Sequence, residues 1–507
     1  MQQTLCSRCG QLDTIPACLT ESEAVPPTGK SVILLGKRSL RIKCDMCRFF
    51  LGCSPRYKRN YKLHVRLFDH IRPGSLPPTL PTLMDLPRTR FLSVLRENQG
   101  LIYDYSVQDK PTQSGVMFYL PTGLSVLNPV PVRSVDAATA NFALLGSLFR
   151  RCQDSHTLCN QAECQDKLPY IYLIDCIEER VVREHTNRSY LALSYVWGDP
   201  TSQACPQTTL SKEFPDTHFS VTGAPLTVQD AILVVRNMGR KYLWVDKYCI
   251  DQAEGPEKSM MLQNMDQIYR NAEATIVAMY GENDAAGLPG VSQVPRIPQP
   301  EFRLTHGCLL SSCPPISTLI QTSKWATRGW TYQEARLSRR CLFFKEHQVY
   351  VTWLETTASE AVPSESQRCW ISWLLHRSRL DDTLFMPRTS IAEGFYSDRL
   401  AYSQRLLTHG SDILNAFRGI LSHSGLVTFW GIPITPPKAA MDPHIGFALG
   451  LLWCRRPTWA KSRHLQSLGE QPRTRRVNLP TWSWTSVTGE IFNEGYGGQS
   501  VLEIPQS

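Results

Sequence analysis

The chain has 507 residues, of which 42% are hydrophobic and 20% are charged, a composition that excludes a largely disordered protein. This length predicts two or three domains, and the formal net charge of +9 is small for it. The first ten residues lack the basic and apolar regions of a signal peptide, and the apolar stretches are too short to span a membrane. We therefore expect an intracellular, cytoplasmic protein whose 17 cysteines are thiols or metal ligands rather than disulfides.

The N-terminal region, residues 1–185, is rich in cysteine and contains two C-x-x-C pairs. Each pair can present two thiolates to one ion, so together they predict a structural Zn²⁺ site formed by Cys6, Cys9, Cys44 and Cys47. The 10–43 interval between the pairs exceeds the ~15–20 residues of a usual zinc ribbon, so thiols without a metal are the alternative. Looser zinc candidates are Cys53 and the group Cys152, His156, Cys159 and Cys164.

The central region, residues 186–356, alternates between apolar runs and helical patterns, which predicts an α/β domain with a parallel sheet. A helix with Thr227 and Asp230 as its capping pair follows the first strand, and a second helix extends from about Glu257 to Asn271. The strands are expected at Leu191–Val196, Tyr242–Val245 and Thr275–Ala278.

Polar and aromatic residues follow the first two predicted strands. Ligand sites of parallel α/β folds lie at such strand ends, so these residues are expected to meet in one cleft. The alternative is a structural role, with the tryptophan in the core and the aspartates capping a loop or helix. The residues concerned are Ser194, Trp197 and Asp199 after the first strand, and Asp246 and Asp251 after the second.

A carboxylate further along the chain is a second candidate. Glu334 lies four residues after Trp330, so the two side chains are expected on one face of a helix. The indole would partly remove water from the carboxylate and raise its pKa, which suits acid–base catalysis or stabilisation of a developing cation. The alternative is an ordinary helical glutamate paired with Arg336 or Arg339.

Four motifs together resemble the HET (heterokaryon incompatibility) domain of filamentous fungi. They are LSYVWG at Leu193–Gly198, YLWVDKYCIDQ at Tyr242–Gln252, MDQIYRNA at Met265–Ala272 and RGWTYQE at Arg328–Glu334. The resemblance implies a role in fungal non-self recognition and regulated cell death. It also implies that the partner is a second copy of the chain or another incompatibility protein.

HET domains are in turn similar to the Toll/interleukin-receptor (TIR) fold, a flavodoxin-like parallel sheet. LSYVWG would match the first TIR strand, and Trp330–Glu334 would match the segment that carries the glutamate of NAD-cleaving members. This implies NAD as a substrate and Glu334 as a catalytic group, and the strand ends offer Asp246 as the second catalytic carboxylate. The chain differs from the TIR pattern at Thr331, where a cysteine is usual, and in a long loop over Gly281–Thr322. The predicted substrate-binding residues are those at the strand ends and beside Glu334, namely Ser194, Trp197, Asp199, Asp251 and Trp330.

The C-terminal region, residues 357–507, is rich in tryptophan and short helical patterns, which predicts a mostly helical domain for packing or partner binding. Three functions stay open: an incompatibility protein that cleaves NAD, a non-catalytic adaptor that self-associates, and a zinc-containing nucleic-acid binder. The third is disfavoured because the best motifs lie outside the basic stretches Arg56–Arg66 and Arg455–Arg476. A Glu334 that lines a cleft with Asp246 and Ser194 would favour the enzyme, whereas a buried Glu334 bound to an arginine would favour the adaptor.

Overall fold

The computed structural model describes the chain in fifteen stretches that form two compact units. The first unit is Met1–Ala138, Arg296–Leu319 and Ala358–Arg377, and the second is Thr139–Pro295, Ile320–Thr357 and Ser378–Ser507. The described residues are 4–7, 9–10, 30–34, 43–53, 63–68, 91–96, 115–121, 132–160, 168–198, 220–354, 357–363, 391–434, 447–448, 450–455 and 474–493. The three-region division of the sequence stays a prediction.

The strands, in chain order, are β1 (Lys30–Leu34), β2 (Leu63–Phe68), β3 (Phe91–Arg96), β4 (Met117–Pro121), β5 (Ile171–Asp175), β6 (Arg180–Glu184), β7 (Leu191–Ser194), β8 (Tyr242–Trp244), β9 (Ala274–Ala278), β10 (Glu301–Leu304), β11 (Gly307–Ser311), β12 (Arg340–Phe344), β13 (Val349–Trp353), β14 (Thr357–Ser359), β15 (Thr428–Phe429), β16 (Ile432–Pro433), β17 (Trp453–Arg455) and β18 (Ile491–Asn493).

The α-helices are Asp45–Gly52, Phe142–Ser155, Thr157–Asn160, Leu226–Asn237, Asp246–Cys249, Pro256–Gln263, Met265–Asn271, Ile316–Gln321, Trp330–Leu337, Ile391–Ser403 and Arg418–His423. Short 3₁₀ turns lie at Trp325–Thr327, Gly410–Ile413, Asn415–Phe417 and Trp484–Ser486. Among the helices that the structure describes, none combines the length and the apolar character needed to cross a membrane.

The first unit contains an antiparallel sheet in the order β1-β2-β3-β4-β11-β10. Its buried core joins apolar residues of these strands, such as Val65 and Leu309, to the helix Asp45–Gly52 and to the cysteines of both C-x-x-C pairs. The β10–β11 hairpin lies inside the stretch Gly281–Thr322 that the sequence analysis treats as a long loop. That loop prediction is wrong, because alternating side chains of the hairpin pack into this core.

The second unit is built on a mixed sheet in which the order β13-β12-β9-β7-β8-β5-β6 occurs. Its centre is parallel, because β7 pairs in parallel with both β8 and β9, and β9 pairs in parallel with β12. The outer strands β13, β5 and β6 are antiparallel to their neighbours. All residues of β7, β8 and β9 are buried, as continuous apolar runs in a parallel sheet should be.

The three predicted strands and their parallel pairing are thus confirmed, but a purely parallel sheet is not. The chain is a mixed α/β protein because antiparallel strands flank the parallel centre. The predicted helix from Glu257 to Asn271 is two helices, Pro256–Gln263 and Met265–Asn271, separated at Asn264. There the Asn264 side-chain amide donates to the carbonyl of Met260 at 2.8 Å, which gives the break a local hydrogen bond.

The predicted capping pair is also wrong. The helix Leu226–Asn237 begins after Pro225 without a side-chain cap. Thr227 Oγ1 instead accepts a hydrogen bond from the backbone N–H of Gly287 at 3.0 Å. The Asp230 carboxylate accepts one from the N–H of Leu288 at 2.7 Å. Both side chains are buried under the loop that follows β9, so they hold that loop rather than the helix end.

The described part of the C-terminal region combines helices with short strands. The helices Ile391–Ser403 and Arg418–His423 occur together with the strand pairs β15·β16 and β17·β18. Aromatic side chains form its core, with Tyr402 stacked on Phe417 at 4.6 Å between ring centroids. A mostly helical C-terminal region is therefore not confirmed.

Candidate functional site

The parallel strands bring the predicted site residues to one edge of the second unit's sheet. Ser194 is the last residue of β7, and Asp246 begins the helix Asp246–Cys249 just beyond β8. The helix Trp330–Leu337 supplies Glu334, which is only 5% exposed. We refer to Ser194, Trp197, Asp246, Trp325 and Glu334 as the strand-end cluster.

Ser194 is the centre of the cluster. Its hydroxyl is fully buried and donates a hydrogen bond to the Glu334 carboxylate. The same oxygen accepts a hydrogen bond from the indole N–H of Trp325 at 2.8 Å. The hydroxyl therefore has one defined donor and one defined acceptor, which fixes the rotamers of all three side chains.

Asp246 is oriented by a second indole. The Trp197 N–H lies 3.0 and 3.1 Å from the two carboxylate oxygens of Asp246. The backbone N–H of Lys247 donates to the same carboxylate at 2.7 Å. Trp197 thus contributes through its N–H, and its partly exposed ring has the Lys247 ammonium over it, 5.9 Å from the ring centroid.

The two carboxyl groups have raised pKa values. Burial, followed by the negative charge of Asp246, raises the pKa of Glu334 from 4.5 to about 7, and the Ser194 hydrogen bond only partly opposes this. Burial raises the pKa of Asp246 from 3.8 to about 6, against the positive charge of Arg328 and the bonds from Lys247 and Trp197. Both groups therefore change charge near neutral pH, where proton transfer is most effective.

The arginine pairing considered for Glu334 does not occur. Arg336 pairs with Asp398 at 3.2 Å. Arg339 donates to the backbone carbonyls of Asn271 and Ala272, each at 3.3 Å. Glu334 is held instead by the Ser194 hydroxyl and interacts with Tyr269, whose hydroxyl donates to the carbonyl of Leu193 at 3.1 Å.

Cationic groups surround the cluster without neutralising it directly. Arg328 reaches the carbonyl of Tyr195 at 3.5 Å, and Lys247 pairs with Asp284 at 3.5 Å. The buried Arg405 lies over the rings of Trp325 and Tyr332, at 5.9 and 4.8 Å from their centroids. Burial lowers the pKa of Arg405 to about 10, so it is still charged at neutral pH.

Two further residues of the LSYVWG motif, Tyr195 and Gly198, lie near Asp284. The Tyr195 hydroxyl is buried and, within the described part of the chain, has no hydrogen-bond partner. Burial raises the pKa of Tyr195 well above 10, and the nearby Asp246 and Asp284 raise it further. At Gly198, an added Cβ would lie 2.3 Å from a carboxylate oxygen of Asp284, so only glycine allows this approach.

The other predicted site residues fall elsewhere. The Asp251 carboxylate accepts a hydrogen bond from the backbone N–H of Ala253 at 2.9 Å, which is the loop-capping role considered as its alternative. Trp330 is the first residue of its helix and half-buried, and the indole that reaches the cluster is that of Trp325. The predictions for Asp199, Cys164 and most of the two basic stretches lie outside the described residues.

Sequence reasoning missed several residues of this site. Arg328 lies in the motif RGWTYQE and Tyr269 in MDQIYRNA, so their membership of the four motifs was the available signal. Trp325 lies three residues before RGWTYQE. Arg405 lies outside the motifs, and no local pattern marks it. The contact depends on the fold, because Arg405 reaches Thr331 Oγ1 at 3.0 Å from a distant part of the sequence.

The two C-x-x-C pairs of the first unit meet, as the sequence predicts for a metal site. Their four sulfur atoms all lie within 4.8 Å of one another. Cys47 Sγ is 3.9 Å from Cys6 Sγ and 3.6 Å from Cys9 Sγ, close to the edge of a tetrahedron with Zn–S bonds of ~2.3 Å. The four cysteines could therefore hold a metal ion. Cys53 is buried nearby and interacts with Ser311.

Electrostatics favour a cation in this four-cysteine cluster. Burial and the neighbouring thiols raise the pKa of Cys47 to about 11 and also raise that of Cys9. Without a cation the thiols of Cys9 and Cys47 therefore stay protonated at neutral pH, whereas a bound metal ion would stabilise the thiolates. Cys152, His156 and Cys159 form a second group, in the second unit, that could hold a metal ion.

Residues 190–334 match the model of the family described as Heterokaryon incompatibility protein (HET). The match spans β7, β8 and β9 and ends at Glu334, so it covers the four motifs and the core of the strand-end cluster. The resemblance of the motifs to the HET domain is confirmed by this match over residues 190–334. No curated protein and no solved structure matches the chain.

Proposed function

We propose that this heterokaryon-incompatibility-type protein acts in non-self recognition and regulated cell death by cleaving NAD at the strand-end cluster. The observation that carries the proposal is the pair Glu334 and Asp246. These two carboxyl groups lie at one edge of a mixed sheet whose centre is parallel, and each is oriented by hydrogen bonds. Glu334 is not paired with Arg336 of its own helix, which pairs with Asp398. Such carboxyl pairs are typical of sites that stabilise a glycosyl cation.

The chemistry suits these groups. When the bond between nicotinamide and ribose breaks, its electron pair leaves with the ring, and the ribose becomes an oxocarbenium-like cation. Ionised Glu334 would stabilise this cation or orient the ribose hydroxyls. Asp246 would accept a proton from the water that adds to the ribose, so the products are nicotinamide and ADP-ribose. Trp197 offers a partly exposed ring for stacking.

The test is NAD consumption by the full chain, concentrated enough to self-associate, with nicotinamide and ADP-ribose separated by chromatography. Glu334→Gln keeps the shape of the side chain and removes its charge, so it should lower the rate at least ~100-fold. Glu282→Gln is a matched control because Glu282 is exposed in the same unit. It should leave the rate unchanged.

The second candidate is a non-catalytic adaptor that signals by self-association. The nearly complete burial of Ser194 and Glu334 is the observation that favours it, because a buried hydrogen-bonded network also suits a purely structural core. If the wild-type chain self-associates but consumes no NAD, the adaptor function replaces the enzyme.

We also propose that the ion of the four-cysteine cluster is a structural Zn²⁺. Four thiolates without an open position suit a closed zinc site. Replacing Cys44 and Cys47 by serine should remove about one zinc ion per chain. Cys53→Ser is the matched control, since Cys53 is equally buried in the same core but lies outside the cluster. Equal zinc contents in the wild type and the double variant would exclude this site.

A further inference from the structure

A second cysteine–histidine group lies in the second unit, where the helix Phe142–Ser155 ends. Cys152 is in the last turn of that helix, His156 follows it, and Cys159 is in the short helix Thr157–Asn160. The backbone of His156 is extended, so the two helices are separate and the three side chains meet across this break. Their ligand atoms lie within 4.8 Å of one another, and no residue of the group is more than 7% exposed.

The imidazole of His156 has a buried ring nitrogen that is available to a ligand. Its Nδ1 atom is buried and, among the residues that the structure describes, has no hydrogen-bond partner. The ring is held edge-on against Trp353, with 5.7 Å between the ring centroids. A buried imidazole nitrogen without a partner is unusual unless it binds something, and neutral imidazole is a common metal ligand.

The two sulfur atoms accept hydrogen bonds from groups that are not metal ligands. Arg340 Nε donates to Cys152 Sγ at 3.1 Å, and the backbone N–H of Leu354 donates to Cys159 Sγ. Arg340 is fixed in turn by Asn160 Oδ1, at 2.6 Å from its Nη2. N–H groups directed at the sulfur atoms are the usual surroundings of metal-bound thiolates, because they hold the ligands in place and spread their charge.

We propose that Cys152, His156 and Cys159 bind a transition-metal ion of the Zn²⁺ class, separately from the four-cysteine cluster of the first unit. Two thiolates and one imidazole are the ligand chemistry that selects zinc. The three residues fill three of the four positions of a tetrahedral ion and leave the fourth to water or another ligand. Through Arg340 and Trp353 the ion connects the helix end to β12 and β13, so its loss loosens this side of the second unit's sheet.

The experiment separates this site from the first unit's cluster. In the full chain carrying Cys44→Ser and Cys47→Ser, which lacks the four-cysteine site, the expected zinc content is about one ion per chain. Adding Cys152→Ser and Cys159→Ser should remove that ion. Adding Cys176→Ser instead is the matched control, because Cys176 is fully buried in the same unit and is not in the group. This control should keep the ion.

Cobalt substitution supplies a readout that depends on the ligands. In the Cys44/Cys47 variant, the cobalt-loaded chain should show a sulfur-to-cobalt charge-transfer band in the near ultraviolet, and His156→Ala should shift or abolish the visible bands. The proposal would be overturned if the Cys44/Cys47 variant folds but contains no metal. It would also be overturned if mass spectrometry shows a disulfide between Cys152 and Cys159 in that variant. If that variant does not fold, the wild type is compared with the Cys152/Cys159 variant, and equal zinc contents likewise exclude the site.

Discussion

Replacing Glu334 by glutamine should stabilise the protein above neutral pH, although it removes the proposed catalytic group. Burial and Asp246 raise the pKa of Glu334 from 4.5 to about 7. Between these pH values the native protein keeps a proton that the unfolded chain has released. Rising pH therefore destabilises the native protein across this range, because the native state binds more protons than the unfolded state.

The size of the effect follows from the shift. A pKa change of one unit corresponds to 1.36 kcal/mol, so the ionised carboxylate costs about 3 kcal/mol above pH 7 and less than about 1 kcal/mol at pH 5. Glutamine resembles the protonated acid and can still accept the hydrogen bond from Ser194. The gain from Glu334→Gln should therefore be at most about 3 kcal/mol at pH 8 and small at pH 5. Asp246 contributes with the same sign, because its pKa is also raised.

The assay is denaturant unfolding of the full chain and of Glu334→Gln at pH 5 and pH 8, with Glu282→Gln as the control for an exposed carboxylate. The free energy of unfolding of the Glu334 variant should exceed that of the wild type at pH 8 and approach it at pH 5. A variant that is less stable than the wild type by the same amount at both pH values would refute the reasoning. Glu334 would then be a structural hydrogen-bonding group that is ionised throughout.

Three further predictions concern the neighbours of Glu334. Ser194→Ala should destabilise the protein by about 1–3 kcal/mol in thermal or denaturant unfolding, because it leaves the Trp325 N–H and the Glu334 carboxylate without their shared partner. An unchanged stability would contradict this hydrogen-bond network. Tyr195→Phe should change the free energy of unfolding by less than about 0.5 kcal/mol in denaturant unfolding, since the buried hydroxyl has no partner in the described part of the chain; a larger loss would contradict this. Gly198→Ala should lower activity by displacing Asp284, which would lie 2.3 Å from the new Cβ, and unchanged activity would show that Asp284 has no role in the site.

The sequence identified the parts of the fold that short-range patterns determine. Buried parallel strands are continuous apolar runs, so β7, β8 and β9 could be recognised. The flanking strands β5 and β6 could not be placed, because antiparallel pairing to β8 is a long-range choice. Thr227 and Asp230 have the spacing of a capping pair, but the fold buries both under a later loop. Local sequence patterns therefore predicted the helix correctly, but they did not predict the contacts of these two side chains.

The same distinction applies to the site. Ser194 and Asp246 were found because strand ends in parallel sheets converge, and Glu334 because of its motif. The 3₁₀ turn Trp325–Thr327 determines which indole contacts the cluster. It directs Trp325 towards Ser194 and leaves Trp330 at the start of the next helix. Tyr269 could have been found from its motif, whereas Arg405 enters through a tertiary contact that no local pattern marks.

The strand-end cluster lowers the stability of the native protein, which a purely structural role does not explain. Two carboxyl groups lie close enough for Asp246 to raise the pKa of Glu334, and neither is neutralised by a direct ion pair in the described residues. A core that needed only packing would be more stable with glutamine or an apolar residue at these positions, since buried charges without close partners destabilise. Groups that titrate near neutral pH beside a partly exposed indole are what a reacting site requires. The free energy of unfolding of Glu334→Gln and its rate of NAD consumption are thus two independent measurements on the strand-end cluster. If the cluster is catalytic, the variant should be both more stable than the wild type and inactive.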